Sequence, residues 1–340
     1  MTETTNAICD QDRVELIKSV SELYGLLLTD NKNVSFKSTK RFFALLSCDG
    51  EKYLCKEWPS YRKNENQVAE CLHIMDIAEK GGVPLSPFLP TKQGERSFLW
   101  KKKRLSLQKF VGERTCDITN LEQVQEFAKT LGKFHKAVWN HNLKGESWDL
   151  ISMSFNYLNY LEETVNKRPS SQKQQKIILE IVNGLKKDLI FAENIMEQLG
   201  WNQLSLISAH GDYHHHNVRY SGNKLVAIVD FDQARPEPRL YDIAYAFGHL
   251  YGTYWPSEND SSGFWTKAGI LSEDDLKNWV KAYSTFGPPL TPQEEELLPL
   301  VCAAVWPRII ETKIPQTDEE LEGCESVLNY MSHLLRPYRN

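Results

Sequence analysis

The segment that decides the fold of this chain is ISAHGDYHHHNVRYSGNKLVAIVDFDQARPEPRLYDIAYAF, residues 207–247. A histidine-glycine-aspartate triplet ends at Asp212, and Asn217 follows five residues later. A Ser-Gly-Asn turn at 221–223 separates two short apolar runs, which predicts a β-hairpin. Its second strand leads into Asp230. We therefore expect Asn217 and Asp230 to lie side by side on paired strands, with Asp212 at the mouth of the preceding loop.

These three side chains suit the transfer of a phosphoryl group. The reaction requires an acceptor hydroxyl that is positioned and relieved of its proton, and it requires the phosphate charge to be neutralised. A carboxylate beside the acceptor performs the first task. A carboxylate and an amide oxygen that hold hard cations perform the second, because magnesium prefers oxygen ligands.

The order H-G-D-x-x-x-x-N, then I-V-D-F-D, then Y-D-I-A within this segment resembles the aminoglycoside phosphotransferase and choline kinase-like family. Members of that family are small-molecule relatives of the protein kinases. The resemblance implies ATP as phosphoryl donor, Asp212 as the catalytic base, and Asn217 and Asp230 as Mg²⁺ ligands. It also implies that His210 and Asp242 brace the catalytic loop.

A second hairpin is predicted near the N-terminus. Residues 41–58 read RFFALLSCDGEKYLCKEW, and their Asp-Gly pair predicts a type I′ turn with positive φ at both central residues. Lys56 is the one basic residue of the apolar second strand, and the resemblance assigns it to the α- and β-phosphates. Its predicted partner is Glu70 on the next helix, near where the family places its glutamate before a Val-Pro pair. Glu65 is the alternative.

The family's nucleotide contacts are less clearly marked in the N-terminal part. Residues 30–42 contain no glycine, so the G-x-G-x-x-G loop of protein kinases is absent. The family often covers the phosphates with a polar loop instead, for which Ser35 is the candidate, together with Ser38 and Thr39. The connector at 107–112 resembles the family's adenine hinge. Phe110 is interpreted as lining the purine pocket or, equally, as a buried strand aromatic.

The pattern along the whole chain predicts an α+β, protein-kinase-like fold with two lobes. Residues 1–110 form a small, strand-rich N-lobe that covers the nucleotide. Residues 111–340 form a larger helical C-lobe with the catalytic loop and the acceptor-binding helices. Helical periodicity is visible at 64–80, 118–139, 150–165, 172–199, 239–252, 272–285 and 292–313. An active site is expected between the lobes.

Composition narrows the classes of partner. A net charge of -5 and a pI of about 6.0 argue against a nucleic-acid partner. The sequence contains no run of 18 apolar residues, so no membrane-spanning helix is predicted. The N-terminus lacks the basic and apolar regions of a secretory signal. The seven cysteines contain no CxxC pair, which fits a reducing cytoplasm. A cytoplasmic protein without membrane contact is expected, and its oligomeric state is left open.

Charge is concentrated at the C-terminal end. Residues 251–340 carry 14 acidic and 7 basic side chains, which is either a solvated helical surface or a field that attracts a cationic acceptor. The second reading favours an amine-bearing alcohol: an aminoglycoside, an amino sugar, choline, ethanolamine or homoserine. The glutamates that supply charge are Glu294, Glu295, Glu296 and Glu311. Aromatic residues that would form either an acceptor wall or ordinary core are Tyr251, Tyr254, Trp255, Phe264 and Trp265.

Histidines do not predict a metal site at this stage. His214, His215 and His216 are consecutive, and consecutive loop residues cannot all face one ion. We interpret them as polar residues beside the active site. His135 lies on the apolar face of its predicted helix and is interpreted as a packed histidine.

Two other classes of protein were weighed against the small-molecule kinase. A catalytically inactive, kinase-like binding or structural protein of the spore-coat type shares the fold, but here every phosphoryl-transfer position remains occupied. A protein serine/threonine kinase is disfavoured, because Asp230 and Asp242 are only 12 positions apart and leave little room for an activation segment. Asp232 also stands where protein kinases carry the glycine of D-F-G.

Overall fold

A computed structural model describes residues 10–30, 42–59, 65–112, 114–141, 143, 147–167, 172–251, 273–310 and 332–339. The strands in these ranges are β1 Leu28–Asp30, β2 Phe42–Ser47, β3 Lys52–Glu57, β4 Phe98–Trp100, β5 Lys103–Lys109, β6 Leu206–Ala209, β7 Val218–Ser221, β8 Lys224–Ile228 and β9 Arg235–Pro238. The helices are α1 Asp10–Tyr24, α2 Glu65–Lys80, α3 Leu121–Val138, α4 Leu150–Lys167, α5 Gln172–Gln198, α6 Arg239–Tyr251, α7 Glu273–Tyr283 and α8 Pro292–Ile310. The predicted mixed α+β architecture is confirmed.

An antiparallel sheet of five strands forms the N-terminal part, in the order β1-β2-β3-β5-β4. Buried residues of α1, Leu16 and Val20, pack with the apolar side chains of this sheet. Lys56 lies in the centre, on β3, with Ser106 of β5 opposite it. The sheet ends at Lys109, so the predicted lobe boundary at 110–111 falls between β5 and α3.

The predicted hairpin between β2 and β3 is present, but its predicted turn type is wrong. Gly50 has a φ of 88°, whereas Asp49 does not have the positive φ that a type I′ turn requires. The Asp49 carboxylate accepts a hydrogen bond from the Ser47 hydroxyl and another from the backbone N–H of Glu51. These local bonds hold Asp49 in an ordinary turn conformation and leave only the glycine in the left-handed region.

Helices dominate the C-terminal part. The apolar stripe predicted for α2 is buried, and α3 begins after Asn120, whose side chain accepts the N–H groups of Glu122 and Gln123 as an N-cap. Helix α3 approaches α7 closely at Gly132, where an added Cβ would lie 2.1 Å from the Tyr283 carbonyl oxygen. Among the described residues, no helix has both the length and the apolar character that a membrane crossing needs.

Two small antiparallel pairs carry the deciding segment. Strand β6 pairs with β9, and β7 pairs with β8 across the predicted turn, where Gly222 has a φ of 59°. Val218 lies opposite Ile228, and the N–H of Val229 donates to the carbonyl of Asn217 at 2.9 Å. This register sets the end of β8 beside the start of β7, as the sequence predicted.

Candidate active site

A buried carboxylate of α6 fixes the loop between β6 and β7 through hydrogen bonds to its backbone. Asp242 of α6 accepts the backbone N–H groups of His210 at 2.7 Å and Gly211 at 2.8 Å. His135 of α3 adds a third bond, from Nε2 to the same carboxylate at 3.1 Å. All of these groups are buried, and although burial alone would raise it, the pKa of Asp242 lies below its ordinary value because of His135 and the loop N–H groups.

Glycine is required at position 211 by both backbone shape and space. Its φ is 76°, and an added Cβ would lie 2.2 Å from the carbonyl oxygen of Gln233. His210 extends the same brace toward Asp230: its Nδ1 accepts the N–H of Asp212 at 3.2 Å, and its Nε2 donates to the Val229 carbonyl at 3.1 Å. Burial lowers the pKa of His210, which agrees with a neutral imidazole that both accepts and donates.

Asp212 is the carboxylate that the braced loop presents to the cleft. Its Oδ1 accepts hydrogen bonds from the Tyr245 hydroxyl and from Arg308 Nη2, each at 3.0 Å. Its Oδ2 accepts from the Asn217 amide at 3.1 Å, and His214 Nε2 lies 3.7 Å away. Burial alone would raise the pKa of Asp212, but the neighbouring His214 and the charge of Arg308 hold that pKa well below its ordinary value. The group is therefore ionised at neutral pH.

Asn217 and Asp230 lie at the same end of the β7–β8 pair, because Asn217 precedes the first residue of β7 and Asp230 comes shortly after the last residue of β8. The Asn217 amide nitrogen donates to Asp212, which turns the amide oxygen the other way. Asp230 has a φ of 67° and keeps 24% of its side chain exposed. One amide oxygen and one partly exposed carboxylate are the oxygen donors that Mg²⁺ prefers, so the residues present fit a magnesium ion.

Lys56 reaches this pair from the N-terminal sheet. Its ammonium lies 2.7 Å from Asp230 Oδ1 and also pairs with Asp232, which is buried. Burial by itself would lower the pKa of Lys56, but the two carboxylates raise it above its ordinary value. The two carboxylates keep the buried Lys56 positively charged and fixed in position, beside the place predicted for the phosphates.

Two of the other predicted nucleotide contacts, Glu70 and Phe110, lie among the described residues. Glu70 is half-buried on α2, the described ion pairs of Lys56 are those with Asp230 and Asp232, and the side chain of Glu65 lies outside the description. Ser35, Ser38 and Thr39 also lie outside it. Phe110 follows β5, is half-buried, and lies with its ring centroid 5.8 Å from the Lys52 ammonium. The roles of Glu70, Ser35 and Phe110 stay predictions.

Three of the acidic residues predicted as acceptor contacts are described, and they lie far from Asp212. Glu294 forms a buried ion pair with Arg239, at 2.6 Å from Nη2 to Oε2. Glu294, Glu295 and Glu296 begin α8, whereas Arg308 is in its last turn, so helical rise separates them from Arg308 by roughly 20 Å. Glu311, residues 254–265 and the side chain of Tyr251 are outside the description. Charge balance over a whole segment carries no information about which helix end faces the site.

Arg308 and Tyr245 were missed in the sequence, whereas His135 is a packed histidine as predicted, buried on α3 with its hydrogen bond to Asp242. The guanidinium of Arg308 lies 4.4 Å from the Tyr245 ring centroid and donates to the Gly211 carbonyl at 2.9 Å. Arg235 lies beside it, with its guanidinium 3.7 Å from the Trp148 ring centroid. For Tyr245 a signal existed, because it follows Asp242 by three residues and so shares its helix face. No local pattern announces Arg308.

Replacing Asp242 with alanine tests the brace. The variant leaves the N–H groups of His210 and Gly211 buried without their acceptor, so we expect the free energy of unfolding to fall by about 3–5 kcal/mol. Chemical denaturation measures this loss. Glu163→Ala is the control, since its exposed pair with Lys167 contributes well under about 1 kcal/mol. Equal stability of both variants would remove Asp242 from the role of brace.

Comparison with known families gives this geometry its context. A family model described as the phosphotransferase enzyme family, abbreviated APH, matches residues 35–274. The chain belongs to this family. The APH match spans the centre built by Lys56, Asp212, Asn217 and Asp230, and it places the chain among small-molecule phosphotransferases. A search of curated proteins finds no significant match.

Solved structures share the APH fold along almost the whole chain. An aminoglycoside phosphotransferase from Alicyclobacillus acidocaldarius aligns with a TM-score of 0.68 and 14% identity, covering 99% of this chain and 97% of that one. Amicoumacin kinase in complex with AMP-PNP and Ca²⁺ aligns with a TM-score of 0.65 and 13% identity, covering 98% of this chain and 96% of that one. Choline kinase LicA from Streptococcus pneumoniae aligns with a TM-score of 0.55 and 12% identity, covering 96% of this chain and 100% of that one. The predicted protein-kinase-like fold is confirmed.

Proposed function

We propose that this protein transfers the γ-phosphoryl group of ATP, with Mg²⁺, to a hydroxyl of a small amine-bearing molecule. The observation that carries the proposal is the convergence of four side chains, three from residues 212–230 and Lys56 from the N-terminal sheet. Asn217 donates to Asp212 at 3.1 Å, and Lys56 contacts Asp230 at 2.7 Å, directly beyond the β7–β8 pair. A base, two oxygen ligands and a phosphate-directed lysine are the groups that this chemistry requires.

The chemistry assigned to these residues balances as one displacement. Asp212 accepts the proton of the acceptor hydroxyl while the oxygen of that hydroxyl bonds to the γ-phosphorus. The bond from the γ-phosphorus to the bridging oxygen breaks, and ADP leaves. Lys56 stabilises negative charge on the phosphates. Asn217 and Asp230 would hold Mg²⁺, which supplies further neutralisation of phosphate charge when bound. Arg308 and Tyr245 position Asp212 through their hydrogen bonds to Oδ1.

The acceptor class rests on two kinds of support. The first is that the similar structures include an aminoglycoside phosphotransferase and a choline kinase, whose named substrates carry a hydroxyl together with an amino or quaternary ammonium group. The second is the net acidic charge of residues 251–340, which carry 14 acidic and 7 basic side chains and so favour a cationic acceptor.

The competing hypothesis is a kinase-like binding or structural protein without turnover. It shares the fold and the family, so neither distinguishes it from an enzyme. Retention of the base, both oxygen ligands and the lysine favours the enzyme, because a protein that does not catalyse transfer is free to lose them.

Nucleotide-dependent stabilisation followed by a transfer assay separates the two hypotheses. Melting temperature is measured with ATP or GTP, with and without Mg²⁺, because a ligand that binds only the folded state raises stability. Transfer of labelled γ-phosphate is then measured on choline, ethanolamine, aminoglycosides and homoserine, with serinol as the amine without an acid. Mg²⁺-dependent stabilisation and transfer to one acceptor are expected. No stabilisation by either nucleotide would move the binding-protein hypothesis ahead.

A further inference from the structure

Three imidazoles from two elements meet beside Asp212. His214 and His215 come from the catalytic loop, and His249 comes from the last turn of α6. One ring nitrogen from each lies within 4.8 Å of the others. Ring centroids of His214 and His249 are 4.8 Å apart, and those of His215 and His249 are 5.9 Å apart. This cluster, His214-His215-His249, differs from the run of three consecutive histidines in the sequence.

Local backbone geometry determines which loop histidines belong to the cluster. Residues 215–217 form a short 3-10 turn, and His214 precedes it in an extended conformation. Nδ1 of His214 accepts the N–H of His216 at 3.2 Å, which directs Nε2 toward Asp212. His216 itself is exposed and is not part of the cluster.

Helix α6 supplies the third imidazole by its periodicity. Asp242, Tyr245 and His249 are spaced by three and four residues, so they lie on one face of the helix. That face already braces the loop through Asp242 and contacts Asp212 through Tyr245. The Tyr245 and His249 rings are in edge-to-face contact at 4.6 Å. The geometry that positions the catalytic loop therefore also positions His249 against it.

The donor atoms select a class of ion. Imidazole nitrogen suits Zn²⁺, Co²⁺, Ni²⁺ and Cu²⁺, whereas Mg²⁺ prefers hard oxygen ligands. Zinc–nitrogen bonds of about 2.0–2.1 Å in a tetrahedron put the nitrogens roughly 3.3 Å apart, so ring nitrogens now separated by up to 4.8 Å must approach by as much as about 1.5 Å. His214 and His249 are only half-buried, which gives them room to do so. Asp212 Oδ2, at 3.7 Å from His214 Nε2, is within reach as a fourth donor.

We propose that His214, His215 and His249 form a binding site for one transition-metal ion of the zinc class, and that its occupation inhibits phosphoryl transfer. The site is separate from the Mg²⁺ position assigned to Asn217 and Asp230. An ion in this site would be coordinated by Oδ2 of Asp212 and would occupy the space in front of that oxygen. Asp212 could then not accept the proton of the acceptor hydroxyl. The inhibitory part rests on the proposed function, whereas the metal site does not.

Metal binding is tested without any activity measurement. Zn²⁺ is titrated by calorimetry, and Co²⁺ by its visible absorption, into tag-free chain in excess Mg²⁺. The variants are His249→Gln, which removes one ligand, and His216→Gln, a matched control from the same loop outside the cluster. We expect one equivalent to bind wild type and the control alike. His249→Gln should weaken binding by about a hundredfold or more, since even outer-shell changes cost 10- to 100-fold.

The outcomes separate the site from its role. Equal affinity in wild type and His249→Gln, or an equal loss in His216→Gln, would overturn the metal site. Transfer by wild type should fall as Zn²⁺ is added, and His249→Gln should keep wild-type activity without Zn²⁺ and resist inhibition. Binding without any inhibition of wild type would overturn the regulatory role alone. Zn²⁺ binding by a chain that transfers phosphate to no acceptor would contradict the proposed function and leave the site standing.

Discussion

Replacing Asp212 with asparagine should lower kcat by about 10²- to 10⁴-fold, the contribution that a positioned general base makes. Asparagine keeps the shape of the side chain but has no carboxylate to accept the proton of the acceptor. Lys56, Asn217 and Asp230 remain in place, so nucleotide binding should stay close to wild type, whereas the melting temperature should fall because the buried Arg308 guanidinium loses its carboxylate partner. Single-turnover transfer of the γ-phosphate, beside a nucleotide titration, measures both quantities.

Asp274→Asn is the matched control for this change, because Asp274 is exposed on α7 and far along the chain from the loop. It should retain wild-type kcat. A similar kcat for Asp212→Asn would exclude Asp212 as the base. Loss of nucleotide binding together with kcat would instead indicate that Asp212 acts mainly by holding Asn217.

The pH dependence of the wild-type enzyme gives a further check on Asp212. Because Arg308 and His214 hold its pKa below the ordinary value of 3.8, the base stays ionised as pH falls through 5 and 4. Loss of activity through protonation of Asp212 should therefore begin only below about pH 4, provided the fold persists there. An acid limb with a midpoint near 6 would have to arise from another group.

Replacing Asp230 with asparagine should remove the part of nucleotide binding that depends on Mg²⁺. The change takes away a charged oxygen ligand and one of the two carboxylates that pair with Lys56. We expect kcat to fall by about 10²- to 10³-fold, similar to the loss of other electrostatic stabilisers of a transition state. Thermal stabilisation by ATP, about 2.7 kcal/mol at a hundredfold excess over Kd, should become the same with and without Mg²⁺.

Asp232→Asn is the sharper control here, since both aspartates contact the same ammonium. Asp232 is buried and Asp230 is 24% exposed, so only Asp230 is open to a metal ion from the cleft. Asp232→Asn should lose stability but keep a Mg²⁺-dependent shift. A shift that survives in Asp230→Asn and disappears in Asp232→Asn would reverse the assignment of the metal ligand.

Several features were predictable because they depend on short stretches of chain. The Asp-Gly and Ser-Gly-Asn turns predicted the positions of the two hairpins. The pairing of β7 with β8 then required Asn217 and Asp230 to be neighbours. The helical periodicity at 64–80 and 118–139 likewise predicted α2 and α3 from spacing alone. The turn type at Asp49 was wrong, since hydrogen bonds from Ser47 and Glu51 outweighed the dipeptide preference. Propensity is a weak guide wherever a side chain has a specific partner.

Residues that set the electrostatics of the site belong to a different category. Arg308 contacts Asp212 across 96 positions, and His135 contacts Asp242 across 107. Their partners depend on which helix faces pack against the loop, and periodicity defines a face without naming its neighbour. Summed charge does not identify contact residues for the same reason, since Glu294 is paired with Arg239 at the opposite end of α8 from Arg308.

The order of motifs along residues 207–247 was therefore sufficient for the fold class and for the proximity of Asp212, Asn217 and Asp230, because local pairing brings those groups together. Long-range packing alone assigned Arg308 and Tyr245 to the base, paired Lys56 with two carboxylates, and exchanged His216 for His249 in the histidine cluster. A contact between distant segments is decided by the free energy of the whole core. No short window of sequence contains that information.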